Sequence, residues 1–160
     1  MTFLEIICQA FNRKKIDYAL AGGHAVALHG AVRGTIDIDF VLSWQRETLI
    51  NVEEILHKLG LVSRLPINAQ DVFDFRNEYI QNRNLIAWNF YHPTDASQQV
   101  DIIINYDLNT EDKTVFKTAN THIALLDKAP LIQMKRKANR PQDIEDINAL
   151  ESLLSDEEST

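Results

Sequence analysis

Two aspartates one residue apart, Asp37 and Asp39, stand in the otherwise apolar run Ile36-Asp37-Ile38-Asp39-Phe40-Val41. β-Branched and aromatic residues of this kind read as a strand, predicted over 36–42. Side chains on a strand alternate with period two, so Asp37 and Asp39 share one face and Ile36, Ile38 and Phe40 the other. Two carboxylates side by side on an apolar strand repel each other and resist burial; left unpaired, each is costly to bury or takes up a proton. A divalent cation between them removes the difficulty, and an all-oxygen ligand set favours Mg²⁺. Upstream, Tyr18-Ala19-Leu20-Ala21-Gly22-Gly23-His24 reads as a strand, predicted over 17–21, that breaks at two glycines into a short helix stopped by Gly30. A helix start offers free backbone N–H groups, and glycine lets an anion approach them closely. A phosphate site beside metal-binding carboxylates is the chemistry of nucleotide transfer.

The run A-G-G-H-A-V-A-L-H-G-A-V-R-G-T-I-D-I-D-F-V, Ala21 to Val41, resembles the signature of the DNA-polymerase-β-like nucleotidyltransferase superfamily. In that signature a Gly-Gly or Gly-Ser turn precedes Asp-x-Asp. The form R-x-T-x-D-x-D, here Arg33, Thr35, Asp37 and Asp39, is similar to that of small prokaryotic members, including nucleotidyltransferase toxins of abortive-infection and toxin–antitoxin systems. A third acid on a neighbouring strand completes the family's triad. In Gln99-Val100-Asp101-Ile102-Ile103-Ile104, Asp101 matches it, again an acid inside an apolar strand. Asp107 is the rival, but it follows Asn105-Tyr106 at a strand end, where an acid needs no special reason.

The run L-I-Q-M-K-R-K-A-N-R-P-Q-D-I-E-D-I-N-A-L also resembles the closing helices of these proteins, with Lys135, Arg140, Asp143 and Asp146 at the matching positions. Lys135 reads either as a phosphate contact or as one member of ordinary helix charge pairing. Arg140 with Asp143 and Asp146 reads as a clamp between two helices. The resemblance covers 18–42 well, 99–104 and 125–150 in part, and 43–98 hardly at all.

The resemblance implies an α/β (α+β) fold, the minimal nucleotidyltransferase palm: a small mixed β-sheet with helices packed mainly on one face and two C-terminal helices. It also implies Mg²⁺-dependent transfer of an NMP from an NTP to an acceptor hydroxyl. Two Mg²⁺ ions per site would be held by the catalytic acids Asp37, Asp39 and Asp101. Gly22, Gly23, Arg33, Thr35 and Lys135 would bind the NTP, with Arg33 equally suited to pairing with a carboxylate of the site. The acceptor, whether tRNA, protein or a small molecule, is not written in these residues, and neither is an antitoxin-like protein partner. Two other readings use the same features: a non-catalytic nucleotide- or partner-binding domain, and a hydrolase with water as acceptor.

The remaining elements have to position these groups. Leu4, Ile7, Cys8 and Phe11 mark one face of a helix over 3–14, and the basic Arg13-Lys14-Lys15 suits its C-terminal dipole. Cys8 therefore reads as a buried structural thiol. Leu49, Val52, Ile55, Leu56 and Leu59 predict an amphipathic helix over 45–59, stopped by Gly60, with Trp44 as packing. The middle is less legible: a short strand at 61–63, a helix at 71–81, and a strand over 85–91 paired antiparallel with 99–104 through His92-Pro93-Thr94-Asp95. Phe73, Phe75 and Tyr79 read as core, or else as the lining of a base pocket. His24 and His29 read as capping or surface residues or as ligands. Short elements over 108–125 lead to helices at 127–138 and 141–154, divided by Asn139-Arg140-Pro141.

A single domain over 1–154 with a frayed acidic tail over 155–160 follows from 160 residues, a hydrophobic fraction of 45% and a charged fraction of 24%. No apolar run is long enough to span a membrane, and the early acid Glu5 argues against a signal peptide, so a cytoplasmic protein is expected. The net charge of −7, from 16 basic and 23 acidic residues, disfavours a broad nucleic-acid-binding face.

Overall fold

A computed structural model describes residues 1–31, 34 and 37–158. Helix α1 (Phe3–Arg13) starts on a capping box, in which Thr2 Oγ1 accepts from the Glu5 amide and Glu5 accepts from the Thr2 amide. Strand β1 (Tyr18–Ala21) runs into α2 (Gly22–Leu28), and β2 (Ile38–Leu42) returns antiparallel beside β1. Helix α3 (Arg46–Lys58) and β3 (Val62–Ser63) follow. The predicted helix at 71–81 is two short helices, α4 (Ala69–Asp74) and α5 (Arg76–Asn82), broken at Phe75. Strands β4 (Ala87–His92) and β5 (Asp95–Asp107) form the expected hairpin, with β5 much longer than the sequence indicates. After a 3-10 turn, β6 (Lys113–Lys117) and β7 (His122–Leu126) lead to α6 (Lys128–Ala138) and α7 (Pro141–Glu158). Helix α7 thus continues through residues 155–158, where the sequence reads as a frayed tail.

The seven strands form one mixed sheet in the order β3-β4-β5-β2-β1-β7-β6. Its two central contacts fix the geometry of the molecule. Strand β2 lies antiparallel to β1 and parallel to β5, and β1 lies parallel to β7. One sheet face is apolar: Phe40, Ile102 and Trp88 align across β2, β5 and β4. Helix α1 packs on it through Phe11, whose ring meets Tyr18 and Phe40 edge-on, each at a centroid distance of 5.1 Å. Helix α3 covers the same face farther along, with His57 against Phe90, and α4 joins it where the Arg46 guanidinium lies over Phe73. The expected palm, a mixed sheet with a helical layer and two closing helices, is the fold observed.

Other packing expectations hold as well. Cys8 is buried and free, and burial pushes its thiol up to about 12, so it is inert at neutral pH. Trp44 packs under the Arg76 guanidinium at 4.0 Å. Of the aromatic stripe, Phe73 and Tyr79 are half-buried against the core, whereas Phe75 is exposed. Gly60 ends α3 at φ +89°, and a Cβ there would stand 3.0 Å from the His92 ring. Gly60→Ala should cost about 1–2 kcal/mol, read as a Tm lowered by roughly 2–8 °C.

Candidate active site

The carboxylates gather where β1, β2 and β5 lie side by side. Ala21, Asp39, Asp101 and Asn89 form a single row across β1, β2, β5 and β4. Residues in register share a sheet face, so Asp39 and Asp101 stand next to each other on strands about 4.8 Å apart. This is the face opposite Phe40 and Ile102. Asp37 precedes β2, which begins at Ile38, and is exposed. Its charge reaches Asp39.

Burial pushes the Asp39 carboxyl up to about 7, helped by the charge of Asp101, a hydrogen bond to it, and the charge of Asp37. Lys135 acts in the opposite sense. Two adjacent acids of which one resists ionisation form a site short of positive charge. Asp101 is held from its other side: Asn89 Nδ2 donates to Asp101 Oδ1 at 2.7 Å, and Arg64 Nε donates to Asn89 Oδ1 at 2.8 Å. Asp107 instead pairs with Arg76 at the far end of β5.

Gly22 abuts Asp39 directly. It has φ +65°, and a Cβ built on it would lie 1.9 Å from Asp39 Oδ2 and 2.9 Å from Asp39 Cβ. Glycine is therefore required twice, for the left-handed turn from strand into helix and for the space that the carboxylate occupies. The two histidines of α2 differ in role. His29 Nε2 lies 2.7 Å from the Leu126 carbonyl and ties α2 to β7, a structural bond. His24 Nε2 is buried and, among the described residues, has no hydrogen-bond partner.

A cleft of about 420 Å³ opens beside this row. Ala21, Gly22 and Asp39 line it from the sheet, Ile86, Ile103, Asn105 and Tyr106 from one side, and Leu131, Met134, Lys135 and Arg140 from α6 and the α6–α7 turn. The register of β5 against β2 shifts between Phe40 and Leu42, a bulge in the stretch of β5 that supplies Asn105 and Tyr106 to the cleft. No sequence pattern announces that bulge.

Lys135 is buried, with Nζ 3.0 Å from Asp146 and 3.7 Å from Asp143. Asp143 also accepts from the Arg140 backbone amide at 2.9 Å and from Arg140 Nε at 2.8 Å, and these contacts hold its carboxyl low against burial. Of the clamp expected from Arg140, Asp143 and Asp146, the Arg140–Asp143 pair is present, and Lys135 of α6 is the cation that meets both Asp143 and Asp146 of α7. The Arg140 side chain is 73% exposed, so guanidinium N–H groups remain available to the cleft. Lys135→Ala would remove a buried cation that meets both Asp143 and Asp146, which should destabilise the protein by about 3 kcal/mol and lower Tm by roughly 6–12 °C in a thermal melt. Arg33 and Thr35, which the resemblance places on the NTP, lie outside the described residues.

No protein-family model matches the sequence, and no curated protein matches it significantly. Solved structures do. The lincosamide antibiotic adenylyltransferase LnuA, in its lincomycin-bound crystal structure, superposes with a TM-score of 0.64 at 18% identity, over 94% of this chain and 95% of that one. The chain has the nucleotidyltransferase fold. The antibiotic-resistance factor ANT(2'')-Ia shares this nucleotidyltransferase fold at a TM-score of 0.60 and 14% identity, over 98% of this chain and 89% of its own. An antigenic nucleotidyltransferase-like protein from Paracoccidioides brasiliensis does so at 0.56 and 20%, over 91% and 72%. At these identities the likeness establishes the fold, and the site must carry the chemistry.

Among the described residues, no three of His, Cys, Asp and Glu converge as a ready-made metal cage. The donor set nevertheless fits Mg²⁺. That ion is usually held by one or two carboxylates together with substrate phosphates and water, and Asp39, which lines the cleft, has Asp101 beside it in register.

Proposed function

We propose that this chain is a nucleotidyltransferase that moves an NMP from an NTP to an acceptor hydroxyl and releases pyrophosphate. The observation that carries the reading is the register of Asp39 beside Asp101, with Gly22 packed directly against Asp39 at the turn into α2. Two adjacent carboxylates that disfavour joint ionisation, one of them lining the cleft against the Gly22 turn, suit a metal-bound triphosphate better than any neutral ligand.

Asp37, Asp39 and Asp101 hold Mg²⁺ in this scheme, two ions as in the family that the sequence resembles. Bound there, Mg²⁺ neutralises phosphate charge and eases ionisation of the acceptor hydroxyl. The chain's own groups do the rest. The Gly22–Gly23 backbone receives the β- and γ-phosphates, with Arg33 and Thr35 assigned to the triphosphate by the resemblance. Arg140 and Lys137 are the exposed cations that line the cleft, whereas Lys135, held by Asp143 and Asp146, acts on the site mainly through its charge. Asp101 orients the acceptor hydroxyl and accepts its proton. The hydroxyl oxygen bonds to the α-phosphorus as the bond to the bridging oxygen breaks, and pyrophosphate leaves. Positioning and charge neutralisation supply most of the acceleration.

A small-molecule hydroxyl is the favoured acceptor. The cleft is of the size that takes such ligands, and a net charge of −7 opposes long nucleic acid. The bound molecules named for two of the similar structures, lincomycin and adenylyl-2''-tobramycin, are of this class. An NTP as substrate places the activity in the cytoplasm. No helix among the described residues is long and apolar enough to cross a membrane.

The test incubates the protein with each NTP labelled at the α-phosphate, Mg²⁺, and a panel of lincosamides, aminoglycosides, tRNA and protein. Label on a small molecule together with pyrophosphate release supports the proposal. Label on tRNA or protein keeps the transferase and favours a toxin with an antitoxin partner. NMP as sole product means a hydrolase, and no turnover with retained NTP binding means a non-catalytic domain.

A further inference from the structure

Asn89 is out of place by composition. It stands in the middle of β4, in Ala87-Trp88-Asn89-Phe90-Tyr91-His92, among the aromatic residues that strands favour, whereas Asn is depleted in strands. Its two neighbours, Trp88 and Phe90, are fully buried on the apolar face, so the alternation sends Asn89 to the carboxylate face. There it is in register with Asp101.

Both ends of its amide are engaged. The Oδ1 atom accepts from Arg64 Nε at 2.8 Å, and Nδ2 donates to Asp101 Oδ1 at 2.7 Å. The orientation is dictated by chemistry, because a guanidinium can only donate and a carboxylate only accept. A flipped amide would set donor against donor and oxygen against oxygen. Arg64 is itself fixed twice more: its backbone amide donates to the Asn89 carbonyl at 2.9 Å, and its guanidinium lies 4.5 Å over the Tyr91 ring. A side chain just past the edge strand β3 thereby sets the amide of β4, which sets the carboxylate of β5.

We infer that Asn89, oriented by Arg64, is a positioning residue for Asp101. The inference rests on the nucleotidyltransferase reading, in which Asp101 is the third acid of the site. Asn89 holds one oxygen of Asp101 through its amide N–H, and the other oxygen carries no share of that bond. Partners of this kind fix ligand orientation, and their loss typically weakens metal binding about 10–100-fold. The row Arg64–Asn89–Asp101–Asp39 has no such role if the site binds no metal.

Mn²⁺ affinity, measured by electron paramagnetic resonance in the absence of nucleotide, tests this directly, with thermal melts in parallel. Asn89→Val removes the donor while keeping a residue that strands accommodate. Arg64→Ala acts from beside the sheet edge and changes no residue of β4 itself. Asn89→Val is expected to retain its fold and bind Mn²⁺ about 10-fold more weakly, with Arg64→Ala shifted several-fold in the same direction. Arg64→Lys, which lacks the fixed fork of donors, should behave like Arg64→Ala. Wild-type Mn²⁺ affinity in folded Asn89→Val, alongside loss of binding in Asp39→Asn, would overturn the positioning role and leave the nucleotidyltransferase reading standing. Absence of Mn²⁺ binding in the wild type would overturn both. If Asn89→Val fails to fold, Arg64→Ala decides alone, and an unchanged affinity in it overturns the inference.

Discussion

Asp39→Asn should abolish nucleotidyl transfer, by about 10³-fold or close to 4 kcal/mol of barrier, while the metal-free protein becomes more stable at pH 8. Both effects have one origin. Burial and the neighbouring Asp101 hold the Asp39 carboxyl up at about 7, so its charged form is costly in the absence of a cation. A carboxyl whose value is raised in the folded state binds its proton more tightly folded than unfolded. Its stabilising contribution is complete below the unfolded value, about 4, and is lost as pH rises through about 7. Asn removes that loss, so the variant should gain on the order of 1–3 kcal/mol over the wild type at pH 8 and little at pH 4. Urea unfolding at the two pH values in chelator checks it. An Asp39→Asn protein less stable than wild type at pH 8 would mean that the carboxylate has a structural partner.

Gly22→Ala should be nearly as damaging to activity, and it should also weaken the fold. The added Cβ would lie 1.9 Å from Asp39 Oδ2. Rotating the carboxylate away relieves that clash but leaves 2.9 Å to Asp39 Cβ, which moves only with the backbone of β2. The φ of +65° adds about 1–2 kcal/mol for any L-residue. Either the carboxylate is displaced or β1 and β2 separate, and a misplaced group of this kind costs about 10²-fold in rate. The expected result is at least that loss of transfer with a Tm lowered by roughly 4–8 °C.

Those groups that break a local rule were the ones legible in the sequence. Asp39 and Asp101 are acids in apolar strands, and the paired glycines interrupt a strand, so each demanded a reason beyond packing. Asp101 was separable from Asp107 on the same ground, and the Arg76 pairing of Asp107 agrees. Helices α1, α3, α6 and α7 were legible because their apolar spacing and stop signals agree, as at Gly60. What stayed hidden depends on strand register. Asn89 is separated from Asp101 by 12 residues and Arg64 from Asn89 by 25, and only pairing of β3, β4 and β5 makes them neighbours. The out-of-character Asn in β4 was the signal available. Strand β2 starts at Ile38, two residues later than the sequence pattern predicts, so Asp37 stands just before it. Lys135 could not be assigned because its charge suits both phosphate and the buried acids of α7 that it meets.

Thermal stability of the wild type and Asp39→Asn with each of the four NTPs, with and without Mg²⁺, tests the central claim most directly. An NTP at about 100 times its Kd should stabilise the wild type by about 2.7 kcal/mol, only with Mg²⁺ present, and the variant should show no such shift. Stabilisation that is equal without Mg²⁺, or equal in Asp39→Asn, would contradict a carboxylate-held metal–nucleotide site at β2 and β5.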